Sequence, residues 1–453
     1  VTEPDLHPLE KIASGAVGRA LTLGATDAEC TLAEGEEFSA GVRMREVESL
    51  KQAGSRGAGI RVLVGRHTGS SRTSDLSEKG IEEMVRSALD LARVTTEDPH
   101  AGLPDAADLG EMETDLKLYD PAIETMETEW KIAQARLAEE TALAADPRIS
   151  NSEGASFDSY LGARAFANSR GFTGSYRTTS CGLSVVPVAK SNGHMERDYW
   201  HTSSRRASGM ESAEEVGRRA AARTLRRLDA RKAATPKAPV IFEPRVARSV
   251  LGELCDAVNG SAIYKHASFL TGKLGEKVAS EALTIIDDST MPGLFGSTPF
   301  DDEGVTPRRT VVIERGVLKS YLLNTYYARK LGLKTTGNAA RGLSGNAGIG
   351  PGNFYIEAGE ITEEAMIAQV RQGLYVTELI GASANPVTGD YSSGAAGLWI
   401  ENGELTYAVS EITIAGNLKQ MLMDLSQAAS NLEFRGAIAS PTIMIQEMTI
   451  SGT

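Results

Sequence analysis

The run Gly397–Ile414, GLWIENGELTYAVSEITI, restricts the fold more than any other stretch, because two apolar segments flank the pair Asn402-Gly403. A two-residue connection of this kind needs positive φ at both central positions, which Asn and Gly accept, and its twist matches that of antiparallel strands. A β-hairpin is therefore predicted here. A second is predicted in RTVVIERGVLKSYLLNT, residues 309–325, which turns at Arg315-Gly316. Around these hairpins, residues 291–304, 335–353 and 381–397 are dense in Gly, Asn and Asp. Such stretches predict loops that need positive φ or close backbone approach, gathered around one cleft.

The first half of the chain has a different texture. LEKIASGAVGRALTLG (9–24) has helical periodicity, and AGIRVLVGRHTGSSRTSD (58–75) predicts strand, turn, strand. SEKGIEEMVRSALDLARV (77–94) opens on a serine cap and a glutamate-rich first turn. A long amphipathic helix is predicted within residues 124–149, antiparallel strands over Ser152 to Val188, and a further helix over about 211–231. The stretch ARKAATPKAPV (230–240), small, charged and proline-bearing, is predicted to connect two domains. The expected fold is thus α+β in two domains. Residues 1–232 form a mixed domain with antiparallel strands, and residues 233–453 form a β-rich domain with hairpins and glycine-rich loops.

The 453 residues, 41% of them hydrophobic, supply apolar material for two such cores. A formal charge of -13 opposes binding to a phosphate backbone, so direct contact with nucleic acid is not expected. The basic run around Arg218, Arg219, Arg223, Arg226, Arg227 and Arg231 has interleaved acids and is predicted to be a solvated helix face. Cys30, Cys181 and Cys255 are widely spaced without any Cys-x-x-Cys pair, which suits a reducing cytoplasm. The polar first residues and the absence of a long apolar run give no expectation of export or membrane insertion.

Several chemistries are excluded by spacing. Gly272-Lys273 is followed by leucine and lacks the earlier glycine of a phosphate-binding loop. The glycines from Gly345 to Gly352 neither follow an apolar strand nor open a helix, as a dinucleotide fingerprint requires. No Gly-x-Ser-x-Gly elbow occurs, and the six histidines never pair on one helix as His-x-x-x-His. Acidic groups remain: Asp287-Asp288, then Asp301, Asp302 and Glu303, and Asp390. Carboxylates of this kind hold a hard cation or brace their own loops, and both roles are open on sequence. Glu253 and Cys255 are two apart on a predicted helix and point away from each other, against a glutamate-assisted cysteine nucleophile.

Long segments in fixed order, among them NSRGFTGSYRTT, PFDDEGVTPRRTVVIERGVLKSYLLNTYYARKLG, TTGNAARG and NPVTGDYSSGAAGLWIENGELTYAVSEITIAGNLKQML, resemble the TldD/PmbA family, once labelled modulators of DNA gyrase. The resemblance runs from about residue 10 to the C-terminus. It implies that TldD-type chains carry zinc on a helical His-Glu-x-x-x-His with a late cysteine, whereas PmbA or TldE-type chains lack these ligands and pair with TldD. At the corresponding place this chain has Gly252-Glu253-Leu254-Cys255-Asp256-Ala257, so both histidines are missing at Gly252 and Ala257, and no cysteine occurs after Cys255. Glu253 then has no zinc-bound water to activate.

The resemblance therefore implies a PmbA/TldE-type subunit with no catalytic or metal residues and no cofactor of its own. Zinc is expected on a TldD-like partner in a heterodimer, with a homodimer as an alternative. Its expected role is to enclose unfolded peptides for proteolysis in the cytoplasm, gripping them by strand addition. The candidate cleft loops carry Asp301, Asp302, Glu303, Asn338, Asn385, Thr388 and Asp390. Two rivals are an autonomous hydrolase using the acidic loops with an oxygen-bound metal, and a self-associating interaction protein.

Overall fold

A computed structural model describes residues 6–233 and 235–452. The first half is built on one antiparallel sheet of β1 (Asp27–Arg43), β2 (Glu46–Val64), β3 (His67–Thr73), β4 (Ile149–Asn168), β5 (Thr173–Ser191), β6 (His194–Arg197) and β7 (Trp200–Ser204). The order is β3-β2-β1-β4-β5-β6, with β7 also on β5. Its helices are α1 (His7–Thr22), α2 (Glu78–Val94), the short α3 (Pro121–Glu124), α4 (Thr128–Ala144) and α5 (Ala213–Leu225). The Ser77 side chain caps α2 by accepting from the Gly80 amide, as its sequence predicts.

Side-chain alternation explains how one sheet serves two purposes. On β4, Ala155 and Phe157 pack under α4 and α5, while Ala165 and Ala167 pack under α1 and α2. All four share one parity, so both helix pairs cover the same face at opposite ends. The opposite face carries Arg164 and Phe166 of β4 and, by register with Asn168, Glu29 of β1 and Arg61 of β2, and this face receives the second half of the chain. Glu29 is fully buried and accepts from Arg61 Nε at 2.6 Å and from Arg341. At Gly59 of β2 a Cβ would stand 1.7 Å from the Leu343 carbonyl oxygen, so only glycine permits this approach.

The second half holds β8 (Thr235–Phe242), α6 (Pro244–Ala257), α7 (Gly260–Tyr264), β9 (Ile285–Asp288), β10 (Arg309–Glu314), β11 (Val317–Leu318), α8 (Thr325–Leu331), β12 (Ala339–Ala340), β13 (Gly348–Ile349) and β14 (Asn353–Ile356). It continues through α9 (Glu363–Ala368), β15 (Gln372–Ala384), β16 (Asp390–Glu401), β17 (Glu404–Asn417), α10 (Leu418–Met423), β18 (Leu425–Ala428), β19 (Ile438–Ala439) and β20 (Ile443–Ser451). Strands pair in the order β17-β16-β15-β8-β20, and β17 also pairs with β20, so five strands close into a ring with β18 added outside it. Val240, Phe242, Leu374, Val376, Ile414 and Ile445 belong to its core. A second sheet runs β11-β10-β9-β14-β19.

Both predicted hairpins form, β10–β11 and β16–β17, with φ of 45° and 81° at Arg315-Gly316 and 53° and 84° at Asn402-Gly403. Three expectations need correction. The predicted connection over 230–240 is mostly strand β8, whose apolar residues occupy the middle of the ring. The glycine-rich stretch 381–397 is largely β15 and β16, with only a short loop between them, because small residues there suit tightly packed strands. The arginine run is only partly solvated, since Arg223 is buried against Glu243 and Asp198, and Arg227 pairs with Glu196 and Glu378.

Candidate functional site

Helix α6 sets the site. Glu243 is its N-cap residue and Pro244 its first helical residue, where a missing N–H costs nothing. Val246, Ala247, Val250, Leu251, Leu254 and Cys255 face the core, which leaves Gly252, Glu253 and Asp256 toward the outside. Glu253 and Asp256 border a cleft of about 720 Å³ whose other walls include Asn259, Tyr327, Gly348 and Pro386. Partial burial and the neighbouring Asp256 charge push the Glu253 carboxyl above its ordinary range. Cys255 is turned into the core, and burial pushes its thiol upward, so it is no nucleophile.

The seven loop residues fall into two places. Asn385 accepts from the amides of Val387 and Thr388, the Thr388 hydroxyl donates to Asp390 at 2.7 Å, and Asn417 donates to Asp390 at 3.0 Å. These contacts hold Asp390 below the usual carboxylate range and fix the loop that presents Pro386 to the α6 cleft. The other four lie at the junction between the halves. Asp301 accepts from the amides of Glu303, Val305 and Ala339, and Glu303 accepts from the Thr325 amide at the start of α8. Asp302 pairs with Arg164 at 2.8 Å, and Asn338 donates to Asp287 at 2.7 Å. Burial pushes Asp287 up to about 6, and raises Asp301 and Glu303 as well.

Asp301, Asp302 and Asn338 line a separate cavity of about 370 Å³ that shares no lining residue with the α6 cleft. The loops therefore do not gather around one cleft as the sequence suggested. Asp256, Tyr327 and Pro386 went unnoticed in sequence; the i, i+3 spacing of Glu253 and Asp256 on one helix face was the available signal.

The donor set decides what the α6 cleft can hold. Gly252 offers no side chain, and Ala257 is 1% exposed with its methyl group in the core. Among the described residues no three His, Cys, Asp or Glu side chains converge. Two carboxylates without imidazole or thiolate do not fit a tetrahedral zinc site, which takes at least three protein ligands. What the cleft offers instead is the carboxylates of Glu253 and Asp256 and the ammonium of Lys265, beside the backbone of β13 and β15.

Comparison with known proteins completes the description. Residues 28–92 match a family model described as PmbA/TldA metallopeptidase domain 1, residues 121–228 its central domain, and residues 235–452 its C-terminal domain. Metalloprotease PmbA of Escherichia coli O157:H7 is 41% identical over 445 residues, covering 98% of this chain and 96% of that protein. The crystal structure of a Bacteroides thetaiotaomicron protein named as a modulator of DNA gyrase superposes with a TM-score of 0.91 at 29% identity, covering 98% and 99% of the two chains. TldE from Thermococcus kodakarensis shares the fold, with a TM-score of 0.88 at 22% identity over 97% and 100%.

Proposed function

We propose, for a chain that belongs to the PmbA/TldD metallopeptidase family, the role of a subunit that holds peptide without cleaving it, beside a family member that carries His-Glu-x-x-x-His. The observation behind this reading is α6, whose outer face brings Glu253 and Asp256 to the cleft while Gly252 has no side chain and Ala257 is turned into the core, the two positions where the family resemblance puts the missing histidines. Glu253 and Asp256, with Lys265 in the same lining, offer charges of both signs to the ammonium and carboxylate groups of an unfolded peptide, whatever its side chains. Recognition of this kind tolerates varied sequences. Bond cleavage then belongs to the zinc-bearing partner.

The test is coexpression with a His-Glu-x-x-x-His homologue from the same genome, with zinc and peptidase activity measured on each chain and on the pair. The expected result is copurification, with zinc and cleavage dependent on the partner. Glu253→Gln with Asp256→Asn should weaken peptide capture while pairing persists. Failure to copurify, or proteolysis by this chain alone that survives both substitutions, refutes the assignment.

A further inference from the structure

The first turn of α6 faces a second cavity, of about 290 Å³, that the peptide-holding role does not use. Six arginines line it against three glutamates, in a chain whose formal charge is -13. Glu243 and Asp198 together serve three guanidiniums, those of Arg223, Arg226 and Arg245, at 2.6 to 3.4 Å. Arg219 is held by Glu215, and Arg435 by Glu211 and Glu433. Arg248 is left over, with no ion pair or hydrogen bond from its side chain to any described residue. The α6 N-terminus adds partial positive charge from the same side.

The third lining glutamate, Glu363, bonds Asn431 and Thr442 and no arginine among the described residues, so Arg248 borders the space without a carboxylate in contact. We propose that this cavity binds a phosphoryl group, with Arg248 supplying the charge that Glu243 and Asp198 do not neutralise. A phosphate dianion offers three strong acceptor oxygens to guanidinium donors, which a single carboxylate does not. Trp200 keeps the wall rigid, since Arg435, Arg219 and Arg223 stack over its ring at 4.6, 5.2 and 5.5 Å and its Nε1 donates to Glu211. The same field is felt by neighbouring His201, which burial and the charges of Arg435, Arg248 and Arg245 push down to about 4. The space around the arginines accommodates a phosphate with a small attached group.

The experiment is calorimetric titration of the full chain with inorganic phosphate at fixed ionic strength, repeated with O-phosphoserine and with adenosine monophosphate. One saturable site is expected, weakened at least about tenfold by Arg248→Gln. Arg218→Gln, which alters an exposed arginine outside the cavity, should leave it unchanged. Tighter binding of an ester than of phosphate identifies an esterified ligand, and the reverse identifies the free ion; either supports the site. No saturation below about 10 mM for any of the three, or equal weakening by both substitutions, overturns it.

Discussion

Replacing Glu29 by glutamine keeps the shape of the side chain and removes its charge from between two guanidiniums. The Glu29 side chain is 0% exposed, that of Arg61 8% and that of Arg341 3%, so water cannot compensate for the loss. Removing one partner from a buried ion pair typically costs about 3–5 kcal/mol. Arg61 belongs to the sheet of the first half and Arg341 to a loop of the second, so the cost falls on their docking. Arg61 retains the Gly102 carbonyl and Arg341 the Asp302 carbonyl, which keeps the expected loss toward the lower end of that range. Urea unfolding followed by tryptophan fluorescence reads this directly, with Trp130 and Trp200 in the first half and Trp399 in the second. One transition in the native chain should become two in Glu29→Gln, with the earlier midpoint reporting separation. The acid limb should change too. Burial alone would raise the Glu29 carboxyl, but Arg341 and Arg61 outweigh burial and hold it below its ordinary range. Its contribution is present above the unfolded value and lost as pH falls through the folded one, so the variant should lose that part of its acid sensitivity. A midpoint within about 1 kcal/mol of the native chain, in a single transition, would show that the two arginines tolerate each other without the carboxylate and would refute the reasoning.

Gly252→Ala should stabilise the chain by about 0.5–1 kcal/mol in thermal or urea unfolding, because the added Cβ meets nothing within 4 Å and a helical glycine is replaced. Ala257→His should destabilise by about 2 kcal/mol or more, since that methyl lies in the core, whereas Gly252→His should fold normally; equal stability of the two would contradict the burial of Ala257. Asp287, raised to about 6 against an ordinary 3.8, keeps its proton in the folded chain after the unfolded chain has released it. Stability from this group therefore falls between about pH 4 and pH 6, on the order of 3 kcal/mol, and Asp287→Asn should flatten that slope when unfolding free energy is measured across the window. A slope unchanged in the variant would place the titration elsewhere.

The local devices of this fold were legible from sequence. Ser77 caps its helix, and Asn402-Gly403 and Arg315-Gly316 turn their hairpins, because each depends on a few adjacent residues. What escaped were facts that depend on distant partners. The arginines after Arg218 read as solvated because their own acids are interleaved with them, yet Arg223 is claimed by Glu243, which follows on another helix. The glycine-rich stretch 381–397 read as loop because its composition says nothing of the strands that flank it. At the candidate site, the ligand-poor pattern on α6 was readable, but the separation of the seven loop residues into a group at the junction of the halves and a group bracing the Pro386 loop was not. Asp301 reaches the Ala339 amide and Asn338 reaches Asp287, contacts that no spacing reveals.

Closure of the five-stranded ring also bears on how the chain is made. Strand β8 leaves the ribosome early, but both of its neighbours, β15 and β20, come later, and Phe242 pairs with Ile443. At 5–20 residues per second, roughly 10–40 s separate the synthesis of these two partners. Until β15 follows, about two-thirds of the way through, Val240, Ile241 and Phe242 have partners on neither edge, and until β20 follows they lack one, the arrangement most prone to pairing with another nascent chain. The last strand among the described residues, β20, is thus also the one that ends the exposure, which makes the tempo of translation, and the chaperones that shield its products, part of what this architecture demands of a cell.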